Sequence, residues 1–309
     1  MPLTYAAIPT EEITRATNNG PLIVASNLLR SAIALSPFWN TGGLPGSTDL
    51  TDPTQTEERA SDYALDLPFA TLDTSNTTYY ITFQISASEV DTVGVILQNL
   101  PGGRTYTITV EFATNATFTD RATVATWSGI TNISRLIQSG LDYPEDSATA
   151  GVNRFTNITY GRVKIVQTAG TQGPPAIGEI LIGRRQGLSH SIETGSDDVP
   201  RGAAYEDFVT AGRKIFRYVT ASGYEDHRAS YHFGGTAVSG ATDLATLRTI
   251  QSECNSGAQA IWARWRTGSN WVLGYFRDPM DLPIGSGQYQ ERYWAFEFNE
   301  QAPFAASEV

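Results

Sequence analysis

The sequence predicts a mainly β chain: a β-sandwich followed by a smaller α+β domain with an antiparallel sheet and one helix. Three observations predict it. Apolar residues alternate with Thr-rich polar ones over several short runs, the pattern of antiparallel sheets with one wet face. Gly, Pro, Asn and Asp turn signals separate those runs at close spacing, as in sandwiches and barrels. A clear helical period, Leu244, Leu247 and Ile250, comes only after a polar stretch at Gln186 to Arg201.

At 309 residues the chain has room for two separate cores. The patterning divides it into a lead segment at 1–21, a sandwich at 22–185, a linker at 186–201 and a small α+β domain at 202–309. The lead carries a short helical pattern from Glu11 to Thr17. Leu22 to Leu29 is the first strand candidate. Ser36 to Thr56 is a long Gly/Pro/Thr/Asp loop, of the kind that serves function or an interface, with Phe38 and Trp39 to anchor it.

Strands then follow quickly. Tyr79, Ile81, Phe83 and Ile85 alternate with Tyr80, Thr82 and Gln84. Val93, Val95 and Leu97 mark the next run, and Leu100 to Gly103 is a tight turn. Tyr106, Ile108, Val110 and Phe112 alternate with Thr105, Thr107, Thr109 and Glu111. Ala122 to Ser128 is another strand, and Ser139 to Ala150 is an acidic loop. Arg162 to Thr168 and Ile177 to Ile182 read as a hairpin around Gly173, Pro174 and Pro175, with Glu179 inside the second run.

In the last part, Arg213 to Thr220 and Tyr224 to Phe233 suggest a hairpin around Ala221 to Gly223. Thr242 reads as a helix cap and Gly257 as its stop. Three aromatic strands follow: Ala258 to Arg266, Asn270 to Arg277 and Tyr289 to Asn299.

Composition narrows the function. Charged residues make up 17% of the chain, Lys occurs only at Lys164 and Lys214, and the net charge is −11. That acidic excess disfavours nucleic acid, whose phosphates need Lys and Arg to displace counterions. The apolar runs are too short for membrane insertion, and the opening residues lack the cationic start and apolar core of a signal peptide. Cys254 is the single cysteine, which excludes an intrachain disulfide and reads as a small buried apolar residue.

Catalytic machinery is not evident: no nucleophile elbow, phosphate loop or His-Glu-x-x-His occurs. The expectation is a protein without enzymatic activity and without a cofactor. His227 and His232 are five apart, which on a strand puts them on opposite faces, away from a shared metal. Asp49 and Asp52, with Glu57 and Glu58 nearby, are the candidate ligands for a calcium ion, though without Asp-x-Asp-x-Asp spacing. Trp262 and Trp265 are three apart, so a strand shows one to each face. With Arg264, Trp271, Tyr275 and Trp294 they are the candidate interface residues, because aromatics and Arg enrich interface cores.

The order of strands from Thr105 to Gly183, ending in an Arg-Val-Lys-Ile strand and an Ile-Gly-Glu-Ile strand, resembles the closing half of discoidin-like (galactose-binding-like) domains. That resemblance implies a jelly-roll sandwich in which those two strands pair. It also implies the calcium site in the early loop. The segment Arg292 to Phe298, with the strands before it, resembles in outline the end of tailed-phage tail-tip and baseplate proteins. Together the resemblances imply a virion structural protein, assembled in the host cytoplasm, that builds a ring or adaptor with copies of itself and other tail proteins, with a weak contact to host surface glycan. The alternative is a carbohydrate-binding module or lectin-like adhesion protein without catalysis.

Overall fold

The computed structural model describes residues 3–10, 20–31, 36–55, 57–62, 68–132, 135–141, 153–171, 173–188, 198–201, 204–209, 215–221, 224–232, 237–255, 259–265, 271–276 and 293–300. Two units divide the chain: residues 1–13 with 26–185, and residues 14–25 with 186–309. The helical pattern at Glu11 to Thr17, nearly all of the acidic loop from Ser139 to Ala150, and Gly257 lie outside the described residues.

In chain order the strands begin with β1 (Tyr5–Ala7), β2 (Leu22–Val24) and β3 (Phe38–Asn40). Then come β4 (Thr78–Val90), β5 (Thr92–Asn99), β6 (Thr105–Ala113), β7 (Ala122–Ile130) and β8 (Arg135–Ser139). β9 (Asn153–Ala169) and β10 (Ala176–Gly183) complete the first unit. One of its sheets runs β3-β4-β9-β6-β7, with β1 also paired to β9, and the other runs β10-β5-β8.

These sheets enclose one core, so the first unit is the β-sandwich that the alternation predicts. Tyr79, Ile81, Phe83 and Ile85 of β4 point inward, as do Tyr106, Ile108, Val110 and Phe112 of β6. From the other sheet come Val93, Val95, Leu97, Ile177, Ile180 and Ile182. Each such side chain, fully buried, contributes about 1.5–3 kcal/mol over exposure. Thr105, Thr107 and Thr109 remain half-exposed on the outer face.

Two expectations about this unit change. Arg162 to Thr168 and Ile177 to Ile182 are not a hydrogen-bonded hairpin. β9 pairs with β4 and β6, whereas β10 pairs with β5, so the pair faces across the core. The long connection through Gly173 to Pro175 crosses between sheets, which a tight hairpin turn could not do. Leu22 to Leu29 is not one strand either. It stops at Val24, and Leu28–Ser31 is a 3-10 turn. β2 pairs with β11 (Gln186–Gly187) and β16 (Ile261–Arg264), so it belongs to the second unit's sheet.

β9 is the centre of the larger sheet, and one glycine lets it be so. Gly161 lies level with Phe83 of β4 and Phe112 of β6. A Cβ there would collide with the Phe83 ring, 2.5 Å from its Cζ, and press the Phe112 ring at 3.2 Å. Both rings are fully buried and close over the bare backbone.

At the end of the sandwich where the chain leaves, Asp91 forms a buried knot. Its Oδ2 accepts from Arg154 Nε (3.0 Å) and Nη2 (2.9 Å). Its Oδ1 accepts from the backbone N–H of Arg185 (2.7 Å) and from Thr92 Oγ1 (3.1 Å). The carboxylate is fully buried, so these donors replace the water it gives up.

The second unit adds β12 (Asp198–Arg201), β13 (Ala204–Val209), β14 (Ile215–Ala221), β15 (Tyr224–His232), helix α1 (Ala237–Glu253), β17 (Val272–Phe276) and β18 (Tyr293–Glu300). Its larger sheet runs β11-β2-β16-β17-β18-β15-β12, and β13 pairs with β14. Hence β14 and β15 are not the hairpin their spacing suggested. Both ends of the stretch read as a linker, Gln186–Gly187 and Asp198–Arg201, pair into the sheet. Leu247 and Ile250 of α1 pack in a core with Ile23, Ile261, Ala263 and Phe298, and Cys254 is buried there too. The helix starts at Ala237, so Thr242 lies inside it; Gly240 weakens the first turn as a sequence signal. Asn255, with φ of 50°, takes the left-handed position that ends a helix.

Candidate functional site

Among the described residues of the first unit, three of the places that collect polar side chains differ in whether those side chains are already satisfied. The first is the outer face of the larger sheet. There Arg162 Nε donates to Glu111 Oε2 (2.6 Å) and Nη1 to the Gly43 carbonyl (2.6 Å). Its guanidinium lies 4.5 Å from the Phe118 ring centroid and 5.0 Å from that of Tyr80. Asn40 Nδ2 donates to Thr82 Oγ1, and Asn40 Oδ1 accepts the Gly43 N–H. This cluster fastens the Ser36–Thr56 loop to the sheet.

The second is the sandwich end formed by residues 70–77, 100–104, 169–171 and 173–175. Tyr106 Oη donates to the Gly173 carbonyl (2.7 Å), and Gln167 Nε2 donates to the carbonyls of Ala169 and Thr171. Burial pushes the Tyr106 and Tyr79 hydroxyls above their ordinary 10.0, so both stay protonated; Tyr79 Oη accepts the Asn76 N–H (3.0 Å). Asp73 Oδ1 accepts from Ser75 N–H and Oγ, and that hydroxyl is the chief reason its carboxyl sits below 3.8. Asp73 is therefore an ionised turn residue rather than a poised acid.

The third is an open cleft of about 260 Å³ on the flank, lined by Leu29, Arg30, Ser36, Pro37, Glu57, Glu58, Ser61 and Asp62. Two short turns build it. Leu28–Ser31 carries Leu29 and Arg30, and Glu57–Ala60 carries the two glutamates. Ala60 is fully buried and pins the second turn against β10, so Glu57, Glu58, Ser61 and Asp62 are displayed around it. Leu29 is buried and provides an apolar floor. Three acidic residues and one arginine line it. Among the described residues, Glu57 and Glu58 have no protein partner, and neither does the Ser61 hydroxyl, although Ser61 is only 7% exposed.

The sequence-predicted residues fall as follows. Asp49 accepts the Thr51 N–H (2.8 Å), and Asp52 accepts Thr54 N–H and Oγ1 (both 2.8 Å), so each carboxylate closes its own turn. Among the described residues, no three His, Cys, Asp or Glu side chains gather as a metal would need. Glu57 and Glu58, named with the aspartates, stand in the cleft instead. Arg30, Ser61 and Asp62 were missed; the buried Ala60 between acidic neighbours is the signal that could have found them. His227 and His232 lie on β15, opposite Phe298 and Tyr293 in register.

In the second unit Trp262 is fully buried, Trp265 packs edge-on against Phe298 at 5.0 Å, and Arg264 lies over Trp271 at 5.9 Å. Tyr275, 40% exposed, is the candidate interface ring that reaches solvent. The side chain of Trp294, on β18, lies outside the described residues, as do Arg266 and Arg277.

No family model and no curated protein matches this chain. Solved structures do. A Ruminococcus gnavus GH29 fucosidase in complex with fucose is 14% identical over 52% of this chain and 26% of its own, with a TM-score of 0.35. The chitosan-binding module 1 of a chitosanase/glucanase from Paenibacillus sp. IK-5 is 18% identical over 51% of this chain and 98% of its own, with a TM-score of 0.32. A CBM32-1 module from a family 31 glycoside hydrolase of Clostridium perfringens is 13% identical over 47% of this chain and 99% of its own, with a TM-score of 0.26. This chain thus spans about a quarter of the fucosidase, as the 26% coverage states. The expectation of a phage tail-tip or baseplate protein finds no support among these findings.

Proposed function

We propose that the first unit is a carbohydrate-binding module without catalysis, taking its ligand in the flank cleft. This reverses the order of the two functions inferred from the sequence. The observation that carries it is the contrast in hydrogen bonding. Most polar groups of the outer face and of the sandwich end satisfy one another, Gln167 Oε1 excepted, whereas Glu57, Glu58 and the Ser61 hydroxyl of the cleft have no protein partner among the described residues. Carboxylates and a guanidinium around a hydroxyl can hold the vicinal hydroxyls of a sugar, and Leu29 and Pro37 suit its apolar ring edge. At about 260 Å³ the cleft is below the usual 300–1,000 Å³ of drug-sized sites, which suits one or two sugar rings of a chain that continues into solvent.

A glycan array probed with the full chain tests this reading. Saturable binding that Ser61→Leu and Glu58→Ala abolish, with folding unchanged by circular dichroism, supports it. Binding that survives both substitutions moves the site elsewhere, and no binding to any glycan removes the reading. Running the array with calcium and with a chelator reports at once whether the Asp49–Asp52 loop takes part.

A further inference from the structure

Resting on that reading, we infer that the cleft selects a cationic saccharide, one whose sugars carry free amino groups. Three features of the site give the charge preference. Glu57, Glu58 and Asp62 outnumber the single Arg30, so the local potential is negative within a chain of net charge −11. Arg30 and Asp62 already engage neighbouring groups, whereas Glu57 and Glu58 engage none among the described residues. Their charge is therefore available to a ligand.

The second feature is independent of the acidic count. Ser61 is a polar residue 7% exposed that lines the cleft with a hydroxyl lacking any protein partner among the described residues. That hydroxyl is not itself sealed off, so water or a ligand in the cleft meets it, and it asks for a hydrogen-bonding group rather than an apolar one. The third feature is the failure of the carboxylates to converge: no set of three metal-binding side chains gathers among the described residues. A point cation needs such convergence. An ammonium on a sugar ring does not, because it meets one carboxylate while the ring hydroxyls meet the others. The mixed wall of Arg30, Ser36 and Ser61 likewise suits a ligand with hydroxyls beside its charge better than a purely basic peptide.

Calorimetric titration of the full chain with a glucosamine oligomer and with the matching N-acetylglucosamine oligomer decides the matter. The expected result is tighter binding of the glucosamine oligomer, weakening as salt rises. Glu57→Gln and Glu58→Gln are each expected to cost about threefold to tenfold in affinity for that oligomer, and to cost the acetylated one less. Equal affinity for the two oligomers, indifferent to salt and to both substitutions, overturns the charge preference and leaves glycan binding standing. Binding of neither oligomer, with a neutral glycan bound on the array, does the same. Saturable binding of oligolysine without the glucosamine oligomer overturns it in favour of a basic peptide.

Discussion

Replacing Asp91 by Ala should be among the most damaging single changes to the sandwich, and its cost can be worked from the geometry. The substitution removes a fully buried carboxylate that takes two guanidinium hydrogen bonds from Arg154, at 3.0 and 2.9 Å, and the Arg185 N–H at 2.7 Å. Arg154 is itself 7% exposed, so its charge cannot simply turn to water. Breaking one side of such a buried pair costs about 3–5 kcal/mol. For a unit of this size, each kcal/mol moves the melting temperature by about 2–4 °C, which gives a fall of roughly 6–20 °C. Thermal unfolding of the full chain, followed by near-ultraviolet circular dichroism, measures it. The companion Arg154→Met and the double variant close a cycle in which the double loses less than the two singles together. A fall of under about 2 °C for Asp91→Ala would refute the reasoning, since it would mean that water or another group replaces the carboxylate at little cost.

Three further outcomes are expected. Gly161→Ala drives a methyl into the Phe83 and Phe112 rings and should destabilise by about 1–3 kcal/mol in chemical denaturation; an unchanged midpoint would show that the rings can move aside. Asp73 has a folded carboxyl value below 3.8, so its contribution is present above that ordinary value and is lost as pH falls through the lower folded one. Ser75→Ala removes the largest cause, and carboxyl titration by NMR should then return Asp73 towards 3.8, whereas no movement counts against that hydroxyl. Because Asp49 and Asp52 close their own turns, millimolar calcium should leave the melting temperature where a chelator leaves it; a rise with calcium would give the ion a site in that loop.

Alternation exposed most of the sandwich in advance, because period two survives wherever one sheet face is buried. β4 and β6 illustrate this: each inward residue was readable from its apolar neighbours two positions away. β9 shows where the signal fails. Its run from Asn153 to Tyr160 mixes Arg154, Asn157 and Tyr160 with Phe155 and Ile158, since there it borders β1 and the Asp91 knot rather than a uniform core. Pairing partners were less legible still. Ile177 to Ile182 reads the same whether it pairs with β9 or faces it, and only the sheet order separates the two. The cleft was half visible. Glu57 and Glu58 stood out as acidic residues, but Arg30 and Ser61 join them only through two short turns, which leave no periodic trace.

The threading of β2 carries a consequence for how this chain can be made and cut. Leu22 to Val24 sits between β11 and β16, both of which are synthesised only after the whole sandwich. The two units thus interleave along the polypeptide, with β1 of the sandwich before β2 and its other strands after it, and no single scission yields both parts entire. A fragment starting at Ser26 would lose β1 from the edge of β9 and leave Ile261 to Arg264 with a bare backbone edge, an invitation to stray pairing. On the ribosome the same three residues must wait, apolar and unmatched, until Gln186 and Gly187 follow the sandwich out, and for their second neighbour until Ile261 to Arg264 arrives.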